Sequence, residues 1–287
     1  MTDPGHLLES VRHLPDRVRD AAVAAADVEG LPDREGIRAV VIFGVGVARV
    51  AGDVLESISE LTGTVPVVAT GARCPPWVGP DVLAVAVSLS GEDAATIGAA
   101  AGAREAGARL VVVTSGGELG DRGSDWGAPA VRADPETGPL AALGAAIVPV
   151  LVVLERLSLV SGMSRIISGA AEQLDARRRQ LDEDSSLVDA IAAELPDRVA
   201  VVCGAGSIGK HAARRWVQQL DRVGHVAAVR RRLPVDAEDV ATWVRLAEQV
   251  SGGLVAVVLR HDHEPEGLAG GLHLLDGAVD ALQVVGA

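Results

Sequence analysis

The sequence predicts an α/β protein with mostly parallel sheets, arranged as two related halves. Three observations carry that expectation. Short apolar strand-like runs alternate with helical segments along the chain, which is the signature of βαβ units. A strand, a glycine turn and a helix follow one another at 37–61. The same plan returns at 197–220, with Gly204 standing 160 residues after Gly44, so the chain carries an internal repeat.

In order, residues 5–29 read as an amphipathic helical segment broken at Pro15. "IRAVVIFGVGVARVAGDVLESISEL" (37–61) reads as a buried strand, a glycine turn and a helix, and "VPVVAT" (65–70) as a short strand. "RCPPWVGP" is a loop, because Pro75, Pro76 and Pro80 forbid regular structure. "DVLAVAVSLS" is a strand, 92–107 a helix, "RLVVVTSGG" (109–117) a strand, and "PAVRAD" (129–134) a last strand before a long helix from about 139. The stretch 140–160 is the most apolar, but Pro149, Glu155 and Arg156 inside it make it a buried core helix and not a membrane span. A charged helical connector runs over 162–184. After 197–220, "HVAAVRR", a helix at 236–250, "GLVAVVLR" and "ALQVV" complete a shorter α/β unit. The expected division is 1–36 as an N-terminal helical segment, 37–160 and 197–287 as the two units, and 161–196 as the connector.

The 287 residues carry a net charge of −13. DNA, RNA and anionic membranes need a basic surface. The clusters "ARRRQ" (176–180) and "VRRRLP" (229–234) are too short to reverse that balance, so no nucleic-acid or membrane partner is expected. The N-terminus is charged and has no apolar export core, which points to a soluble cytoplasmic protein. Cys74 and Cys203 form no metal-ligand pattern, and their pairing as a disulfide has little support in a chain of this size. "RHDHE" puts His261, Asp262, His263 and Glu264 in a row, but neighbours on a strand end point to opposite faces. A solvated loop is expected there, with no metal.

Two glycine-containing stretches invite a ligand. "GAGSIG" (204–209) fits the dinucleotide fingerprint G-x-G-x-x-G between strand and helix, with Arg230–Arg232 after the next strand where an NADP phosphate would want them. Gly204, Gly209 and Lys210 also fit a phosphate-binding G-x-x-x-x-G-K-S/T loop, except that His211 replaces the hydroxyl. A third reading has these glycines only packing helix on strand. No cofactor is expected. "SLSGEDAAT" (88–96) places Ser88, Ser90 and Gly91 between a strand and a helix, where backbone N–H groups attract anions, yet Glu92 and Asp93 follow directly.

Taken together, the motifs resemble the sugar isomerase (SIS) family, most closely its bifunctional phosphoglucose/phosphomannose isomerase branch. The family's first turn, G-M-G-G-S-A-I-A-G-D, stands here as "GVGVARVAGD", with Gly44, Gly46, Ala51, Gly52 and Asp53 kept. Its phosphate loop, S-Y-S-G-N-T-x-E-T, stands as "SLSGEDAAT", with Ser88, Ser90, Gly91 and Thr96 kept, and "TSGG" (114–117) matches in full. In the second half, R-W-K-x-Q-x-N-E-N-A-K stands as "RWVQQLDRVGH" (215–225), which keeps Arg215, Trp216, Gln219 and the spacing to Leu233 and Pro234. The resemblance covers most of residues 37–260. It implies two SIS subdomains, each a three-layer αβα unit with a mostly parallel sheet, a homodimer with shared active sites, and a sugar phosphate or other carbohydrate derivative as ligand. The ligand-binding candidates are Gly44, Gly46, Ser88, Ser90, Thr96, Ser115 and Gly116.

The departures fall on the working positions. The first-turn serine that helps hold the phosphate is Ala48, and the phosphate-loop Asn and Thr are Glu92 and Asp93. A carboxylate beside a phosphate dianion costs on the order of 4 kcal/mol or more at an effective dielectric near 20, unless Glu92 and Asp93 serve the helix start instead. The proton-moving Glu of N-E-N-A-K is Arg222, and an arginine cannot accept that proton. The ring-opening His is absent from "LPVDAEDV", which offers Glu238 or Asp239, and the arginine of the family's P-R-A segment is Leu140. Arg222, Glu238 and His225 are therefore the candidates at the catalytic positions, and isomerase activity is doubtful by chemistry. Two classes remain: a non-catalytic module that binds a sugar derivative or a protein partner, and a divergent isomerase with rearranged groups.

Overall fold

A computed structural model describes residues 4–134, 142–234, 237–261, 264 and 280–285. The chain divides into two compact units, Met1–Arg178 and Arg179–Ala287.

In the first unit, α1 (Pro4–Arg12) and α2 (Leu14–Ala26) meet at His13, and Pro15 lies in the first turn of α2, where a missing N–H costs nothing. Then come β1 (Ala39–Phe43), α3 (Val47–Thr62), β2 (Val67–Gly71), β3 (Val82–Val87), α4 (Ala94–Glu105), β4 (Arg109–Thr114), α5 (Gly117–Asp125), β5 (Ala130–Arg132) and α6 (Ala142–Arg156). The five strands form one sheet in the order β2-β1-β3-β4-β5, every neighbouring pair parallel. The strand order reverses its sequence sense between β1 and β3, the kind of position at which open α/β sheets bind ligands.

All six residues of β3 are buried, as a parallel strand covered on both faces requires. Alternate residues divide between two cores. Val40, Ile42, Leu83, Val85, Val111 and Val113 face the layer of α2, α3 and α6. Val41, Phe43, Ala84, Ala86 and Val112 face α4 and Leu119 of α5. The α6 helix buries ten of its fifteen residues, including Pro149. Its apolar surface is covered within its own unit by α2 and α3. α7 (Met163–Glu183) follows, its start held by Glu155 of α6, whose Oε1 accepts from Met163 N at 2.6 Å and Oε2 from Ser164 N at 2.9 Å.

The second unit holds α8 (Ser186–Glu194), β6 (Val199–Ala205), α9 (Gly206–Arg222), β7 (Ala228–Leu233), α10 (Ala237–Ala247), β8 (Leu254–Arg260) and β9 (Asp280–Val285). Its four strands are parallel in the order β7-β6-β8-β9. One face packs on Trp243 of α10, the other on Ala213 and Trp216 of α9. Both cysteines are free thiols. Cys203, inside β6, is fully buried, and burial pushes its thiol up to about 12 against the opposing pull of Arg231.

Among the described residues no helix is long and apolar enough to cross a membrane.

Candidate functional site

The site of the first unit is built by two loops that leave neighbouring strands and lock together. Ser88 follows β3, and its N–H donates to Val113 O of β4 at 3.0 Å. Past β4, Ser115 answers: its N–H donates to Leu89 O at 3.0 Å and its hydroxyl to the same oxygen at 2.7 Å. Thr114 Oγ1 donates to Gly116 O at 2.7 Å, and Leu119 N donates to Gly91 O at 2.9 Å. Gly91 has φ +75°, and a Cβ there would strike Gly116 O and reach Thr114 Oγ1 at 2.9 Å. Gly117 has φ +65°, and a Cβ there would strike Glu92 Oε1 and meet Ser90 O at 2.6 Å. Only glycine permits this backbone-to-backbone clasp.

The two carboxylates have separate places. Asp93 is the N-cap of α4, its Oδ1 accepting from Thr96 N at 2.6 Å, so it satisfies a helix-start N–H. Glu92 is exposed, and its carboxylate lies against Gly117, the first residue of α5.

The ligand candidates differ in reach. Ser90 is exposed, Gly46, Ser115 and Gly116 are half-buried, and Gly44 and Ser88 are buried at the strand ends. Thr96 is fully enclosed, and its Oγ1 has no hydrogen-bond partner. Ala48 is buried, and its methyl group lies 2.5 Å from where a Cβ on Gly44 would come. A concavity of about 530 Å³ opens beside Thr114, Ser115 and Gly116, edged by Asp27, Glu29, Asp121 and Arg132.

The other candidates belong to the second unit. Arg222 ends α9, Glu238 stands in the first turn of α10, and His225 sits between α9 and β7 with φ +52°. All three are exposed. Burial lowers the Arg215 guanidinium below its ordinary value, and the like charge of Arg222 adds to this. Two cations side by side supply no base. In "GAGSIG", Gly204 and Gly209 pack backbone on backbone, a Cβ on Gly204 coming within 2.9 Å of Gly209 Cα, so these glycines let α9 close on β6. His261 at the end of β8 approaches Ala205 O at 3.3 Å through Nε2. Leu140, Asp262 and His263 lie outside the described residues. Among the described residues no group of three or more His, Cys, Asp or Glu is placed to hold a metal.

No family model matches the chain. A curated relative, the bifunctional phosphoglucose/phosphomannose isomerase of Caldicellulosiruptor bescii, is 26% identical over 219 residues, 75% of this chain and 65% of that one. The chain thus matches just under two thirds of the relative's length. The C-terminal domain of glucosamine-fructose-6-phosphate aminotransferase from Francisella tularensis superposes with a TM-score of 0.70 at 16% identity, over 98% of this chain and 82% of that one. The chain has the sugar isomerase fold. Tagatose-6-phosphate ketose/aldose isomerase from Escherichia coli agrees, with a TM-score of 0.65 at 18% identity over 96% of this chain and 79% of that one.

Within the sugar isomerase fold, two features escape sequence reasoning. The clasp of Gly91 on Gly116 and Gly117 is a pairing between loops, and "SG" and "GG" in separate segments give no sign of it. Asp53 stands in the sequence only as part of a motif. In the structure it pairs with Arg49 at 2.9 Å, and Arg49 also donates to Ala69 O of β2. A Cβ on Gly52 would meet Ala69 Cβ at 2.8 Å. "GD" therefore fastens α3 to β2, a role that the i, i+4 spacing of Arg49 and Asp53 could have suggested.

Proposed function

We propose that the protein binds a sugar phosphate or other carbohydrate derivative at the C-terminal edge of the first sheet, and that it does not interconvert aldose and ketose phosphates at an enzymatic rate. One observation carries the binding half: the clasped loops bring Ser88, Ser90, Ser115 and Gly116 to neighbouring strand ends, and of these Ser115 and Gly116 line a concavity of about 530 Å³. Such edges are where open α/β sheets take ligands. Chemistry carries the other half. The base position holds Arg222, the first-turn serine position holds the buried Ala48, and no histidine stands in "LPVDAEDV". General acid–base catalysis is worth about 10² to 10⁴ in rate, and this chain lacks the groups at those positions to supply it. The reading includes a homodimer and a cytoplasmic location, both taken from the resemblance and the sequence.

The deciding assay couples formation of fructose 6-phosphate from glucose 6-phosphate or mannose 6-phosphate to a reporter enzyme. The expected result is no turnover above background. A turnover near one per second, lost in Ser88→Ala, would establish a divergent isomerase instead, with His225 and Glu238 the first residues to test. Binding of NADP or ATP in the low micromolar range by titration would move the function to "GAGSIG".

A further inference from the structure

We propose that the outer edge of β7 is a docking strand for an extended acidic segment of a partner protein. The segment adds to the second sheet as a further strand and sets three consecutive carboxylates against Arg230, Arg231 and Arg232. This goes beyond the carbohydrate reading and does not depend on it.

Three observations carry the inference. First, β7 ends its sheet. It pairs with β6 on one side and, among the described residues, with no strand on the other. An edge of that kind presents main-chain N–H and C=O groups to another strand. Second, its faces are bare. Ala228 packs with the α9 layer and Leu233 with the Trp243 layer, but the four residues between them, Val229 to Arg232, are all exposed. Parallel strands are ordinarily covered on both faces, as β6 and β8 are. The third observation is charge. In this chain of net charge −13, exposed arginines such as Arg19 and Arg122 hold a carboxylate, at 2.9 and 2.8 Å respectively. Among the described residues no carboxylate pairs with Arg230, Arg231 or Arg232, and Arg231 Nη1 donates instead to Arg230 O at 3.0 Å.

The occupant follows from this geometry. Side chains alternate along a strand, so Arg230 and Arg232 lie on the face of Ala228 and Arg231 on the face of Leu233. A strand added beside β7 sets its own side chains directly across. Carboxylates at three consecutive positions then meet all three guanidiniums, whose planar donor forks suit them. A second copy of β7 does not fit, because arginine would face arginine. A nucleic acid calls for a wider basic surface than this acidic chain offers.

The test is fluorescence anisotropy at constant ionic strength, with the full chain and three labelled peptides. The first, Thr-Val-Glu-Glu-Glu-Val-Thr, carries the acidic triad between strand-forming residues. The second, Glu-Thr-Val-Glu-Val-Thr-Glu, has the same composition with its carboxylates apart. The third is the first peptide N-methylated throughout, which keeps the charge and removes the strand's N–H donors. The variants are Arg230→Gln with Arg232→Gln, and the control Arg245→Gln, which removes an exposed guanidinium on α10. All three residues are exposed, so both variants are expected to fold, and thermal midpoints check this. The triad peptide is expected to bind wild type and Arg245→Gln alike, and the double variant at least tenfold more weakly. The other two peptides are expected to bind wild type at least tenfold more weakly than the triad peptide does. Absence of saturable binding by the triad peptide, or equal binding to the two variants, would overturn the proposal. Equal binding of the three peptides would reduce β7 to exposed charge and overturn it as well. A short DNA duplex that binds wild type more tightly than the triad peptide would make the surface one for nucleic acid, and the docking strand falls.

Discussion

Gly91 and Gly98 stand seven residues apart, and the structure asks opposite things of them. Gly91 takes φ +75° and lies on Gly116 O, whereas Gly98, inside α4, has an ordinary helical backbone and open space where a Cβ would stand. Gly91→Ala is expected to lower stability by about 1–3 kcal/mol, the cost of a left-handed non-glycine residue, before any collision is counted. Gly98→Ala is expected to raise stability by up to about 1 kcal/mol, the helix-interior preference for alanine. Urea denaturation of both variants reads the difference, and a Gly91→Ala midpoint equal to wild type would refute the clasp. The sequence marks Gly91 by its place after Ser90 but does not distinguish a ligand-facing glycine from a loop-facing one. Asp93 is nearer to legible. An Asp just before an alanine-rich helix and three residues before Thr96 is a capping pattern, yet in sequence Glu92 and Asp93 stand together as one block of charge against a phosphate. The structure separates them because the helix begins at Ala94, after both.

At the scale of elements, the strands are readable because β-branched runs such as "AVVIF" and "RLVVVT" have glycines close by, Gly44 directly after the first, and Gly107 and Gly116 each separated by one residue from the ends of the second. Two helices are not. α5 is "GELGDRGSD", with three glycines and only Leu119 and Gly123 buried, so no apolar period marks it. α8 buries Ile191 alone. Poor in buried apolar residues, such segments are set by their neighbours and not by their own pattern. α7 offers a sharper test of how one element fixes another. Glu155 belongs to α6 but accepts from the first amides of α7. Burial pushes its carboxyl up, and the hydrogen bonds from Ser164, Met163 and Gly162 outweigh this, so it sits below its ordinary 4.5. A depressed folded value means stability that is full above about 4.5 and is lost as the pH falls through the folded value. Glu155→Gln is expected to cost about 1 kcal/mol at neutral pH, the usual worth of a helix cap. The gap to wild type should close as the pH falls from 4.5 through the lowered folded value. Thermal melts from about pH 3 to pH 7 check this, and parallel curves would refute it.

For the whole molecule, the homodimer expectation comes from the family resemblance, and the most apolar stretch, 140–160, adds no ground for a partner, because α6 is covered inside its own unit. Ile166 of α7 and Val188 of α8 remain exposed, at 46% and 47%. Light scattering at micromolar concentration is expected to return twice the 29.3 kDa chain mass, and a value equal to one chain would end the expectation. The division into two parallel-sheet units carries a consequence of another kind through its thiols. Cys74 lies in the first unit and Cys203 in the second. With its thiol held at about 12 inside β6, Cys203 stays almost wholly protonated at neutral pH and shielded from alkylating reagents. Its labelling therefore waits for the second unit to open, while Cys74, half-buried in a loop, is the shorter wait. The second half thus carries its own stopwatch: the labelling rate of Cys203, read by mass spectrometry against the faster Cys74 of the same chain and without any engineered probe, times the opening of that half.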